Sequence, residues 1–174
     1  VRELLTEKEL PPLVLDADGL RIAAALANWP EFLRPPAVIT PHPGEMAAIT
    51  GRAVAEIQAN RVETAEHYAA AWDQVVVLKG AHTVVASPGG ETKIIPIATP
   101  ALAKAGSGDV LAGMITGLLA QGLSPFDAAA AAVWIHGRAG ITAADRLGTE
   151  AAVLAGDVLD SVVDVLSWLR LDLE

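Results

Sequence analysis

A chain of 174 residues, 52% of them hydrophobic, carries enough apolar side chain to fill a core, and one domain is the expected organisation at that length. Its formal net charge of −9 argues against nucleic acid as a partner, since gripping a phosphate backbone takes clustered Lys and Arg. No apolar run reaches the roughly 18 residues of a membrane span, and with no cysteine disulfides and thiolate metal sites are excluded, so the cytoplasm is the expected location.

Residues 1–10 carry charge too densely for the apolar centre of a signal peptide. Leu13-Val14-Leu15 then reads as a buried strand running into the polar Asp16-Ala17-Asp18-Gly19, with a helix expected over about 20–28. Residues 37–39 repeat the pattern, followed by the loop Thr40-Pro41-His42-Pro43-Gly44 and a short helix over 45–50 closed by Gly51. Helical spacing runs over 54–72. Val75-Val76-Val77-Leu78 is the clearest strand, ending in Lys79-Gly80. Residues 83–86 and 93–97 flank Ser87-Pro88-Gly89-Gly90, a turn suited to an antiparallel pair. Three helices complete the chain, over 108–121, over 125–145 behind Ser124-Pro125, and over 156–169. On the last, Asp157, Asp160 and Asp164 read as a solvated face.

Apolar strands alternating with helices predict an α/β fold with a mainly parallel sheet covered on both faces. Ligands of such folds gather at the carboxyl ends of the strands, where Asp16, Asp18, His42, Glu45 and Lys79 fall.

The strongest local signal is Lys104-Ala105-Gly106-Ser107-Gly108-Asp109 leading into a helix. Glycines there let backbone approach a phosphate, and the free N–H groups and dipole of a helix start supply positive potential without a lysine. An aspartate in that first turn can take a proton from a hydroxyl attacking the held phosphoryl group. Equally, Ser107 or Asp109 can simply cap the helix. No Gly-Lys-Ser/Thr follows, which excludes a P-loop, and the third glycine of a dinucleotide fingerprint is missing.

The other candidates read two ways. His42 and Glu45 can point into the crevice, His42 toward a substrate and Glu45 toward magnesium through water; a proline-rich turn with a dipole-favoured glutamate accounts for them as well. Lys79 to Thr83 can wrap a nucleotide, or be an ordinary strand end with an amphipathic lysine. Asp16 and Asp18, two apart, would share a side of an extended strand and hold metal or ribose, unless Asp18 caps the next helix. Gly113 and Gly117 suggest a close helix contact. His136 reads as packed within its helix, and the residues themselves give His67 and His82 no role.

Taken in order, Leu15-Asp16-Ala17-Asp18-Gly19-Leu20, Thr40-Pro41-His42-Pro43-Gly44-Glu45-Met46, Leu78-Lys79-Gly80-Ala81-His82-Thr83 and Ala105-Gly106-Ser107-Gly108-Asp109-Val110-Leu111-Ala112-Gly113 resemble the successive motifs of the NAD(P)H-hydrate dehydratases, over about 13–138. The resemblance implies a three-layer ribokinase-like fold, residues 1–174 forming a single partial domain whose amino-terminal strands are missing. It implies repair of the hydrated cofactors NADHX and NADPHX, in which ADP or ATP phosphorylates the hydrate's hydroxyl and loss of phosphate restores the dihydropyridine. By matched position, Asp109 is the base and contacts the hydrate with His42. Lys79, Gly80, Ala81, His82, Thr83, Gly106, Ser107 and Gly108 hold the nucleotide, and Glu45 is associated with Mg²⁺. Members of the family carry a further stretch ahead of the Asp-Ala-Asp motif, roughly a hundred residues, in line with a complete domain of this class. Its absence would expose a sheet edge and favour a homo-oligomer. A ribokinase-like kinase of a small alcohol or vitamin precursor, or an inactive remnant of the dehydratase, are the alternative functions.

Overall fold

Five short strands form one sheet in chain order: β1 (Val14–Leu15), β2 (Val38–Ile39), β3 (Val75–Leu78), β4 (Val84–Ala86) and β5 (Thr92–Ile94). They belong to a computed structural model that describes residues 11–33 and 37–171; the reading of residues 1–10 lies outside that range. The sheet is mixed. β1, β2 and β3 run parallel, while β4 and β5 are antiparallel to their neighbours. Local chemistry divides the halves, since parallel neighbours need helical crossovers whereas the turn over 87–90 can only reverse the chain. In that turn Gly90 adopts φ 90 and the Ser87 N–H donates to Glu91 O at 2.8 Å.

Four helices, α1 (Ala17–Ala24), α2 (Pro43–Thr50), α3 (Val54–Ala59) and α4 (Arg61–Trp72), fill the crossovers and cover one face. The other face is covered by α5 (Ser107–Ala120) and α6 (Pro125–Leu147), with α7 (Ala155–Leu171) packed outside against α6. All of β3 is buried, and its alternation serves both layers: Val76 and Leu78 join Met46 and Ile57, while Val75 and Val77 join Ile115 and Phe126. That explains a strand written as an unbroken apolar run. Among the described residues no helix is long and apolar enough to cross a membrane.

Several boundaries differ from the sequence reading. The expected 20–28 helix starts at Ala17 and stops at Ala24, and Asn28, left-handed at φ 54, turns the chain into a 3₁₀ turn over Trp29–Phe32. The expected 54–72 helix breaks at Asn60 (φ −131, ψ 52). That break starts α4 with Arg61, which the site uses. The strand expected over 93–97 ends at Ile94, although Ile95 N–H still donates to Thr83 O at 2.9 Å.

Asp157 does not belong to a purely solvated face, since it accepts from Leu154 N–H at 2.9 Å and lies 3.7 Å from Arg146. Gly113 and Gly117 make no close helix contact, as a Cβ at either would meet nothing within 4 Å. Close packing falls instead at Gly137 and Gly140 of α6. A Cβ there would stand 2.8 Å from Ile97 Cδ1 and 2.6 Å from Leu102 Cδ2 respectively, so the 97–102 segment lies directly on α6.

Candidate functional site

β1, β2 and β3 all end on one side of the sheet, where three charged side chains meet. Because α1 begins immediately after β1, Asp16 and Asp18 do not share a face as an extended strand would require. Asp16 turns inward to Lys79 Nζ at 2.5 Å, and Asp18, 88% exposed, pairs outward with Arg21. Neither caps α1 through its side chain. Lys79 Nζ also lies 3.6 Å from Glu45 Oε2, so the ammonium sits between two carboxylates.

His42 is the N-cap of α2. Its Nδ1 accepts from Gly44 N–H at 3.0 Å and Glu45 N–H at 3.2 Å, and Glu45 Oε2 accepts from His42 N–H at 2.7 Å. This is a capping box with imidazole in the position usually held by serine or threonine. With Nδ1 accepting, the ring proton resides on Nε2. Capping and a place at the crevice therefore coexist in His42, whereas Glu45 is largely withdrawn beneath it.

The loop after β3 is braced from behind. Arg61 Nη2 donates to Leu78 O at 2.8 Å and Lys79 O at 3.3 Å, and Nη1 donates to Gln58 at 2.9 Å. Burial draws the guanidinium's pKa below its ordinary value. Gly80 adopts φ +143 against that group, where a Cβ would stand 3.1 Å from Arg61 Nη1. Thr83 Oγ1 closes the loop by donating to Gly80 O at 2.9 Å. His82, at φ 54, donates its N–H to Ile97 O and is exposed.

The start of α5 faces this cluster. Gly106, at φ +85, is the N-cap and provides no side-chain cap. Ser107 N–H donates to Lys104 O at 3.3 Å. The N–H groups of Gly108 and Asp109 have no acceptor among the described residues, and the helix dipole adds positive potential there. A Cβ on Gly108 would lie 3.4 Å from Asp16 Oδ2 and 3.5 Å from Lys79 Nζ, so the helix start and the ammonium share one small space. The Asp109 side chain is exposed and makes no ion pair or hydrogen bond among the described residues. Neither Ser107 nor Asp109 caps the helix.

These parts border a cavity of about 680 Å³, lined by His42, Lys79, Gly80, Ala81, Thr83, Ser107 and Gly108 at its polar end. Ile95, Ile97, Leu102, Leu111 and Val133 form apolar walls. A largely apolar cleft of this size with a few convergent polar groups is the general form of a small-molecule site. Glu45, His82, Gly106 and Asp109 are not on its lining; the last two lie in the same turn as Ser107 and Gly108.

His136 is packed within its helix as expected, but its place at the cavity was missed. It is 6% exposed, lines the cavity, and its Nε2 lies 3.1 Å from Ser107 Oγ. A histidine among the alanines of a buried helix needs a polar partner, which was the available signal. Arg61 offered none, since its role depends on the break at Asn60.

Burial lowers the His136 pKa from 6.5 to about 4; hydrogen bonding to the Ser107 main chain opposes this and the charge of Lys79 adds to it. The unfolded chain therefore binds the extra proton first as pH falls. Stability is unaffected above about pH 6.5 and declines between there and about pH 4, by at most about 3 kcal/mol. Urea unfolding at about pH 7 and about pH 4.5 should show the wild type losing more stability than His136→Gln; equal losses would contradict the assignment.

A family profile described as NAD(P)H-hydrate dehydratase matches residues 1–163. The bifunctional NAD(P)H-hydrate repair enzyme Nnr of Moorella thermoacetica is 46% identical over all of this chain and 32% of its own length. The ADP-dependent (S)-NAD(P)H-hydrate dehydratase of Neisseria meningitidis serogroup B is 41% identical over 96% of this chain and 56% of its own. The ADP/ATP-dependent NAD(P)H-hydrate dehydratase of Bacillus subtilis, co-crystallised with ATP/Mg²⁺ and soaked with CoA, superposes with a TM-score of 0.79 at 37% identity, over 91% of this chain and 56% of that one. The chain thus spans 32% to 56% of the length of these relatives. With a profile covering nearly all its residues and a three-layer fold shared with solved relatives, the chain belongs to the NAD(P)H-hydrate dehydratase family.

Proposed function

We propose that the protein containing this chain returns NADHX and NADPHX to NADH and NADPH, with ADP or ATP as phosphoryl donor. The observation that carries this reading is a single helix turn that holds two unsatisfied N–H groups, on Gly108 and Asp109, and the unpaired Asp109 carboxylate, and whose Ser107 and Gly108 line a nucleotide-sized cavity. The amides hold the terminal phosphoryl group, assisted by the helix dipole and by Lys79. Asp109 takes the proton of the hydrate's hydroxyl as its oxygen attacks phosphorus and the nucleotide departs with the bonding pair. Inorganic phosphate then leaves with the C–O bonding pair as the neighbouring ring carbon gives up a proton to solvent, and the ring double bond is restored. His42, with its proton on Nε2, serves as a donor to the hydrate, and residues 79–83 with Gly106, Ser107 and Gly108 line the nucleotide's path.

Among the described residues no group of three or more His, Asp or Glu is arranged to hold a metal. Glu45 is engaged by His42 N–H and lies beside Lys79. That donor set fits a magnesium ion carried by the nucleotide's phosphates and approached by Glu45 through water, not a resident protein cage. When bound, the ion neutralises phosphate charge. A cytoplasmic location and self-association along β1, an edge strand of the sheet among the described residues, complete the reading.

The test is consumption of NADHX with ADP or with ATP, run beside nucleotide turnover driven by small alcohols. Hydrate-dependent turnover supports the proposal. Turnover with an alcohol and none with the hydrate would replace it with a small-alcohol kinase, and no nucleotide binding at all would reduce the chain to a folded remnant.

A further inference from the structure

We infer that His136 is a positioning residue for the phosphoryl site, its imidazole holding Ser107 Oγ so that the hydroxyl proton is turned toward the anion held by the Gly108 and Asp109 amides. The inference rests on the nucleotide reading of that turn and adds a third donor to it. Ser107 is 3% exposed and His136 6%, and the two side chains meet at 3.1 Å although 29 positions separate them. Both border the cavity.

Ser107 stands one place inside its helix, behind the Gly106 N-cap, so its hydroxyl is not spent on capping as those of the N-caps Ser124 and Thr99 are. The partner of Ser107 Oγ is the imidazole. A hydroxyl has one proton to give and two lone pairs to fill. If Nε2 accepted that proton, the lone pairs of Oγ would face the phosphoryl oxygens and repel them. With the proton on Nε2, the imidazole donates to Oγ and the hydroxyl proton remains for the ligand. Anion binding therefore selects the donating tautomer.

The imidazole is also buried on a closely packed helix. Its neighbours on α6, Gly137 and Gly140, let Ile97 and Leu102 lie directly against the helix. A group so held loses little freedom when the ligand arrives. The burial that keeps the ring neutral also prevents it from adding a charge that pH would switch. No carboxylate orients its other nitrogen among the described residues, so the pair lacks the third group that would activate Ser107 as a nucleophile.

The test is calorimetric affinity for ADP and for AMP in the wild type, His136→Ala, Ser107→Ala, the double variant and His136→Gln. Each single alanine variant should weaken ADP about tenfold, the value of one hydrogen bond to a charged group, and leave AMP unchanged. The double variant should be no weaker than either single one, and His136→Gln, whose amide can still donate, should recover most of the loss. Equal weakening of ADP and AMP, or additive losses in the double variant, would overturn the inference and leave a packing role. If His136→Ala fails to fold, Ser107→Ala and His136→Gln carry the same comparison. Wild-type protein that ignores ADP would overturn the nucleotide reading itself, a result distinct from wild-type binding that His136→Ala leaves intact.

Discussion

Replacing Asp109 with alanine is expected to lower turnover by about 10²- to 10⁴-fold, the range spanned by general acid–base groups, while nucleotide affinity stays within about twofold. Among the described residues nothing engages the carboxylate. It is exposed, makes no ion pair or hydrogen bond among the described residues, and stands in the first turn of α5 beside two free N–H groups. Its loss therefore opens no cavity and strands no partner. The stability cost is confined to its favourable interaction with the helix dipole, about 0.3–1 kcal/mol. Removing a negative charge beside bound phosphate can only favour the anion. Single-turnover consumption of NADHX paired with calorimetry reads both quantities, and turnover retained in Asp109→Ala would remove the residue from the chemistry.

The second large effect is on binding. Gly108→Val is expected to weaken ADP about a hundredfold, corresponding to two charge-assisted hydrogen bonds lost together. The fold itself should tolerate the change. A Cβ at Gly108 meets Asp16 and Lys79 at 3.4 and 3.5 Å, ordinary contact distances, and its backbone is outside the left-handed region. The branched methyls would instead occupy the space in which a phosphoryl group approaches the amides. Gly106→Val provides the contrast: φ is +85 and a Cβ would press 3.1 Å from Ala155 Cβ, so this variant should lose stability before affinity can be asked about. An unchanged ADP affinity in folded Gly108→Val would move the phosphate elsewhere.

Much of the architecture was legible because it depends on local signals. The apolar run of β3, the Ser-Pro-Gly-Gly turn, and the Ser124-Pro125 start of α6 each specify their own conformation within a few residues, and each appears where the sequence puts it. The order of four motifs was enough to point to the family, and three of the four contribute residues to the lining of one cavity. What the sequence did not yield depends on long-range meetings. Asp16 finds Lys79 across 63 positions and Ser107 finds His136 across 29; no periodicity encodes either. Asp16 and Asp18 were misread together because one residue decides whether the chain is still extended or already turning. The same holds for small residues: spacing made Gly113 and Gly117 look like a contact, yet only packing reveals that Gly137 and Gly140 are the ones in contact.

The central claim is that the amides opening α5 hold a phosphoryl group while the loop after β3 lines the rest of the nucleotide. Titrating ¹⁵N-labelled protein with ADP and following amide resonances tests it most directly. The account predicts the largest shifts at Ser107, Gly108 and Asp109, with a second group over 79–83 and little movement along α7. Shifts centred on the second hollow beside Gly148 and Glu150, with residues 107–109 unmoved at saturation, would contradict it.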